Sequence, residues 1–466
     1  MQRRNKTCLA QLLVATALVT PATAFAQSTA REAQLEARLD RLEAEMQQLR
    51  GELVNARTEQ AQTAAALQAA TAKSDEAATK IATLEKKSPP ADGFRVGNTT
   101  VKLGGFIKLS ATSSRFSDGE VPTNSLGRDF YLPQSIPVSG GKASRVQDFS
   151  AKQSRFWLNL GTDVAGQNVK GYLEVDFQTS PGTQGSQRTT NGYNLALRRA
   201  YLQVGHFTFG QDWTTFQYTG ALPETTDFLG ATEDTVFVRQ PLIRYSMPVS
   251  NGLTLHAAVE NPESGTSTLG SPVLIENGDD RMPDVTARLA YTGNIGELSL
   301  AGLAREVRVE NAGISAKNFG WGISGGGKIY LNDEKTSDLR FMATYGSNIG
   351  RYVGLNFAPD SVYDPVSGKL ADVRNFAALA AARIAIAKGL RVNLIGSYQS
   401  VNYAGSLPAV SLAGYNRKAW SGAANLFWTP VPSIDLGIEY RHAEREVVDG
   451  AKGQLDRVEF AAKYSF

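Results

Sequence analysis

Two hydrophobic periods divide the chain. Between Leu35 and Leu53 the apolar positions Leu35, Leu39, Leu42, Met46, Leu49 and Leu53 recur at alternating steps of four and three. That is the a/d seam of a coiled coil. The same frame continues through Ala56, Gln60, Thr63, Leu67, Ala70, Ser74, Ala77, Ile81 and Leu84, where alanine and polar residues loosen the seam. A lone helix of this pattern exposes a leucine stripe, so the residues predict a self-associating helix over 27–87, with the strand number open. Ser88-Pro89-Pro90 stops it. Proline has no N–H to donate and disfavours helix in the residue before it, so a linker spans 88–98.

From Thr99 the period becomes two. Val169, Gly171, Leu173 and Val175 alternate with Lys170, Tyr172, Glu174 and Asp176. Ile434, Leu436, Ile438 and Tyr440 alternate with Asp435, Gly437, Glu439 and Arg441. Strands of this kind carry one apolar face and one wet face. The segments start near 99, 153, 168, 194, 205, 235, 252, 283, 297, 317, 337, 374, 389, 417, 433 and 455. Short connections such as Thr162–Gln167, Pro248–Gly252, Ala387–Gly389 and Thr429–Ser433 alternate with long ones such as Thr112–Lys152, Gln211–Asp234, Glu260–Met282 and Gly346–Val373. Segments of about ten residues in short–long alternation predict an all-β fold, a transmembrane antiparallel β-barrel of about sixteen strands over 99–466. The last segment, Val458 to Phe466, alternates to a terminal aromatic. It resembles the signal read by outer-membrane barrel assembly machinery, an expected partner together with the outer-membrane lipid.

The amino terminus has the three parts of a secretory signal over 1–26. Arg3, Arg4 and Lys6 precede the apolar stretch Leu9 to Val19, and Ala24-Phe25-Ala26 precedes Gln27. Its removal takes away Cys8, the single cysteine, and with it thiol chemistry. The 48 Lys and Arg against 45 Asp and Glu give a net charge of +3, too small for a general polyanion binder, so no nucleic acid is expected. His206, His256 and His442 lie far apart and match no zinc-ligand spacing, and no dinucleotide or P-loop fingerprint occurs. The expectation is therefore no cofactor, no metal and no enzyme; Ser, His and Asp occur without a recognisable nucleophile context.

The run Leu197-Arg198-Arg199-Ala200-Tyr201-Leu202-Gln203-Val204-Gly205-His206-Phe207-Thr208-Phe209-Gly210-Gln211-Asp212-Trp213-Thr214 resembles the fourth-to-fifth-strand hairpin of trimeric porins. With the signal, the coiled coil, Gly104-Gly105-Phe106-Ile107-Lys108 and Arg239-Gln240-Pro241-Leu242-Ile243-Arg244-Tyr245, the whole layout resembles the DcaP-like porins. The resemblance implies a sixteen-stranded homotrimer in the bacterial outer membrane and a third external loop, near 211–234, folded into the pore. It also implies uptake of small organic anions such as dicarboxylates.

An aqueous pore selects by width and lining charge. If the loop tucks inside, Glu224, Asp227, Glu233 and Asp234 lie against one wall. With apolar positions facing out, Lys108, Arg155, Lys170, Arg199, Arg244, Arg288, Arg305, Lys328, Arg340, Arg383, Arg391, Arg441, Arg457 and Lys463 face in. The planar guanidinium donates two parallel hydrogen bonds to a carboxylate, so Arg155, Arg199, Arg239, Arg244, Arg288 and Arg383 are the candidate anion-binding residues. Tyr201 shares a face with Arg199. The bland reading of each arginine is an ion pair that stiffens the barrel. Alternative functions are a less specific general porin, a phosphate or sugar porin, or a rod that spaces the barrel from the cell wall.

Overall fold

The computed structural model describes residues 93–466, apart from 124, 179–191, 277, 279 and 312, and scattered positions between 38 and 73. The chain divides into two compact units, Met1–Ala91 and Asp92–Phe466. In the first, every described position from Arg38 to Lys73 is helical and exposed, including the seam residues Met46 and Leu53. The export signal, Leu35, Leu39, Leu42, Leu49 and the two prolines lie outside the described residues.

The second unit is a closed antiparallel barrel of sixteen strands. They are β1 (Thr99–Phe116), β2 (Arg155–Val164), β3 (Gln167–Asp176), β4 (Ala196–Val204), β5 (Phe207–Trp213), β6 (Arg239–Ser250), β7 (Leu253–Glu260) and β8 (Asp284–Thr292). Then follow β9 (Gly296–Asn311), β10 (Ile314–Tyr330), β11 (Asp338–Ser347), β12 (Lys369–Ala387), β13 (Leu390–Tyr403), β14 (Asn416–Val431), β15 (Ile434–Val447) and β16 (Lys452–Ser465). Each pairs with the next, and β16 closes on β1 from Phe106 opposite Ser465 to Phe116 opposite Leu455. Closure leaves no unpaired sheet edge, the condition for crossing lipid with strands. Along β8, Val285, Leu289 and Tyr291 face outward and exposed while Asp284 and Thr286 are buried inside. One-sided alternation of this kind fixes register, because a slip of one residue turns every apolar side chain inward.

The connections follow a consistent pattern with two exceptions. At one end they are tight. Gly252 and Gly389 adopt φ of 75° and 72°, and a Cβ on either would sit 2.4 Å or 2.6 Å from the carbonyl of Thr292 or Thr429. Only glycine meets both demands. At the other end the expected alternation breaks twice. Residues 312–313 alone join β9 to β10, and 448–451 join β15 to β16. There the chain keeps its period of two, and the strands lengthen to 16 residues in β9 and 17 in β10 instead of yielding a loop. The first long connection is also shorter than the sequence implied. β1 continues to Phe116, and its upper half pairs with Ser144–Ser150 ahead of β2.

Among the described residues, three long connections enter the barrel. Residues 214–238 run along the inner faces of β9 to β14. Phe216, Val236 and Val238 pack with Ala301, Leu303 and Ile349, and Tyr218, Ala221 and Ala231 pack with Met342, Leu379 and Ile395. Glycines make room: a Cβ at Gly322 would lie 3.1 Å from Phe216 and 3.0 Å from Ile349. Residues 125–136 lie on this segment, with the Thr232 hydroxyl bonded to the Tyr131 carbonyl at 2.9 Å. Tyr352, from the connection after β11, donates to Asp284 at 2.6 Å.

Candidate functional site: a cationic wall in the lumen

The wall that the 214–238 segment leaves uncovered is formed by β2 to β8, and its inner face is rich in arginine. Arg155 lies 3.5 Å from Glu174 and 3.3 Å from Asp176. Arg199 donates from Nε to Asp212 at 2.6 Å, and Arg244 reaches the other oxygen of the same carboxylate at 2.9 Å. Arg244 also donates to the Thr215 hydroxyl at 2.8 Å, which ties the wall to the segment. Arg288 donates to the Gln217 carbonyl at 2.7 Å. Arg239 rests on the faces of Trp213 and Phe237, 5.4 Å and 4.9 Å from their centroids. Tyr201 stacks on Tyr172 at 5.4 Å, and the Arg199 guanidinium covers both rings.

A sixth arginine, Arg198, belongs here, although strict alternation beside the inward Arg199 would turn it toward lipid. Between β3 and β4 the register shifts: Glu174 opposes Arg199, but Val175 opposes Leu197, and Arg198 is the extra residue. A β-bulge of this kind sends two successive side chains to one side. Arg198 therefore points inward and bonds Glu174 and Asp176, each at 2.6 Å. The signal was legible in principle. Two adjacent arginines in a membrane strand place one against hydrocarbon unless a bulge turns it, and a lipid-facing arginine costs about 2–4 kcal/mol at midplane. The wall thus carries Arg155, Arg198, Arg199, Arg239, Arg244 and Arg288, whose ion pairs among the described residues involve only Glu174, Asp176 and Asp212. Arg239 and Arg288 take part in none of them.

The acids of the 214–238 segment lie mostly behind it, against the opposite wall. Asp227 is buried; its Oδ1 accepts from the Tyr131 amide at 2.8 Å and its Oδ2 from the Leu229 and Gly230 amides at 3.1 Å. Burial pushes this carboxyl up, but the guanidiniums of Arg441 and Arg457 outweigh it and hold the group below the usual range. Glu233 accepts from the Tyr131 hydroxyl at 2.7 Å and from Ser421 at 3.1 Å, beneath the segment. Asp234 is fully buried; Thr344 and the Leu379 amide lie nearest, and burial, helped by Glu233, pushes it up to about 8. Glu224 alone keeps appreciable exposure. It bonds Arg391 at 2.7 Å, and Arg383 stands 3.8 Å away. Burial raises its pKa, but the bonds to Arg391 win and hold it low. Glu224 and Asp227 line a cavity of about 200 Å³ with Lys108, Arg155 and Lys463.

On this second wall cation and anion balance at close range. Arg441 meets Glu439 at 2.8 Å, Arg457 donates to Ser114 and to the Gly127 carbonyl, and Lys463 meets Asp435 at 3.0 Å. These arginines fasten inserted segments to the barrel. On the side formed by β2 to β8, by contrast, Arg239 and Arg288 have no ion pair among the described residues.

Comparison with known proteins bears on this arrangement. A family model described as DcaP outer membrane protein matches residues 75–466. The crystal structure of the outer membrane channel DcaP of Acinetobacter baumannii superposes with a TM-score of 0.65 at 25% identity, covering 80% of this chain and 99% of that one. OmpT, an outer membrane protein of Vibrio cholerae, shares the fold with a TM-score of 0.50 at 10% identity, over 81% of this chain and 100% of its own. No curated protein sequence matches this chain.

Proposed function

The chain belongs to the DcaP outer membrane protein family, and from that premise we propose that it is a porin passing small hydrophilic solutes with a preference for organic anions such as dicarboxylates. The observation that supports the preference is that the six guanidiniums on the wall of β2 to β8 find ion-pair partners in only three carboxylates, while the other two buried acids of these strands are turned to other groups, Glu260 to Gln240 and Thr286 and Asp284 to Tyr352 and Arg305. A fixed excess of one sign in a lumen with low-dielectric walls concentrates counter-ions of the other sign. Arg239 and Arg288 supply the unspent cations. A dicarboxylate engages two such forks in turn, and modest affinity at each lets it leave again.

The reading includes a homotrimer, a cleaved signal over 1–26 and a periplasmic self-associating helix over 27–87. Wall height supports the trimer: β2 has 10 residues, β5 has 7 and β8 has 9, whereas β12 has 19. A low sector of wall fits burial against neighbouring copies. Conductance of the refolded protein in planar bilayers tests the whole. The expected results are closures in three steps, a reversal potential favouring anions in a KCl gradient, and current block by succinate. The double variant Arg239→Ala, Arg288→Ala moves the reversal potential toward zero. Ohmic steps with no ion preference would leave a general diffusion pore, and a cation preference would overturn the proposal.

A further inference from the structure

We propose that the outer vestibule holds an apolar-walled subsite above the cationic wall, which selects carboxylates bearing an alkyl or aryl group over equally charged ones without it. This deepens the reading above and rests on it. The subsite is a cavity of about 480 Å³ built by four separate connections. Leu126, Phe130 and Leu132 come from the first, Phe237 from the third, Leu274 from the strand Ser271–Glu276 and Leu355 from the connection after β11. A volume of this order takes one small organic molecule.

Loops at the mouth of an aqueous channel have no structural need to converge apolar side chains on a void. Here Phe130, Leu132 and Leu229 form a continuous cluster with Phe228, Phe237 and Leu355. The cavity sits on that ridge and has a cation in its wall. The Arg239 guanidinium stands 4.9 Å from the Phe237 ring centroid, its Nη1 is buried without a hydrogen-bond partner, and no ion pair reaches it among the described residues. Arg351, also in the lining, is already engaged, 3.8 Å from Asp284 and 3.4 Å from the Asn261 carbonyl. One unsatisfied guanidinium beside an apolar cup matches an amphipathic anion. The carboxylate is drawn to the Arg239 guanidinium, whose charge no ion pair among the described residues offsets, and the hydrocarbon arm displaces water from the leucine and phenylalanine surfaces. Water loses nothing there that it held well, so each methylene buried tightens binding by roughly two- to fourfold. A purely polar anion gains the charge alone.

The test is current block of the full-length refolded channel by acetate, butyrate, hexanoate and benzoate, added to either side of the bilayer. The expected result is a block constant that falls roughly two- to fourfold per methylene, more steeply on addition to the side that the loops face. Leu132→Asn and Leu274→Asn, on two independent connections, flatten the series, and Arg239→Ala weakens every member. A flat series in the unmodified protein, with an anion-favouring reversal potential, overturns the subsite and leaves the anion channel standing. A steep series that survives both leucine variants overturns it too, because the apolar contact then lies elsewhere. Loss of anion preference altogether defeats the channel reading instead.

Discussion

Asp227 is the residue whose removal most directly tests how the inner segment is held. Its carboxylate accepts three backbone amides, from Tyr131, Leu229 and Gly230, and has Arg457 at 3.9 Å. Asp227→Asn keeps the shape and removes the charge. It also replaces one accepting oxygen with an N–H₂ that faces backbone donors. Breaking a buried charge pair costs about 3–5 kcal/mol, because the partner stays buried and unpaired. The barrel's own hydrogen bonds are untouched, so the loss falls on docking of the 214–238 segment and of Tyr131. At about 1.4 kcal/mol per tenfold, opening of the segment becomes roughly 10²- to 4 × 10³-fold more frequent. Hydrogen exchange of the Tyr131, Leu229 and Gly230 amides, followed by mass spectrometry on the micelle-bound protein, measures this, and open-channel current noise should rise with it. Acceleration below about threefold would refute the reasoning, since about 0.6 kcal/mol lies far under the cost of a stranded buried cation.

Three further outcomes are expected. Asp234 has a folded pKa of about 8, raised by burial above the ordinary value of about 3.9, so the undocked segment holds fewer protons between those values. Docking therefore weakens as pH rises through that window and is weakest above about 8; exchange at residues 232–236, corrected for its intrinsic pH dependence, should speed up accordingly, and Asp234→Asn should abolish the trend. Arg198→Ala leaves Asp176 to Arg155 at 3.3 Å and Glu174 to Arg155 at 3.5 Å and Arg199 at 3.7 Å; it should lower barrel stability in denaturant titration by about 3–5 kcal/mol and reduce anion preference, whereas an unchanged midpoint would argue that the bulge does not need the charge. Gly322→Leu drives a side chain into Phe216 and Ile349, whose atoms lie 3.1 Å and 3.0 Å from the Cβ position; it should lift the inner segment and enlarge single-channel conductance, and an unchanged conductance would contradict the packing described.

Much of the barrel was legible in the sequence because lipid imposes a local rule. A strand that faces hydrocarbon on one side must alternate, and a strand that cannot leave its backbone unpaired must close. Each segment therefore announces itself without reference to its partner. The largest misplacement of a strand start is at Lys369, against an expected 374. Chain reversals at Gly252 and Gly389 were equally local, since φ near 75° and 72° is written in the residue type. Period-two reading failed where local sequence is silent about partners. Around residues 312–313 the period of two runs on, but only the pairing of β9 with β10 to their tips shows that it is strand and not loop. The inward turn of Arg198 depends on a two-against-one register with β3.

Tertiary structure also decided which charges meet the lumen. Glu224, Asp227, Glu233 and Asp234 look alike along the chain. Their environments are set by strands far downstream: Arg391, Arg457, Ser421 and Thr344. Three of the four are consumed in fastening the segment, and the β2-to-β8 wall is left with arginines that exceed their carboxylate partners. Charge content is a property of the sequence, but the surplus arises from how a long-range packing event distributes the partners. The sequence by itself determined that this chain makes a barrel with a charged interior. Folding the loop inward determined which of those charges are paired and which arginines are left without a carboxylate.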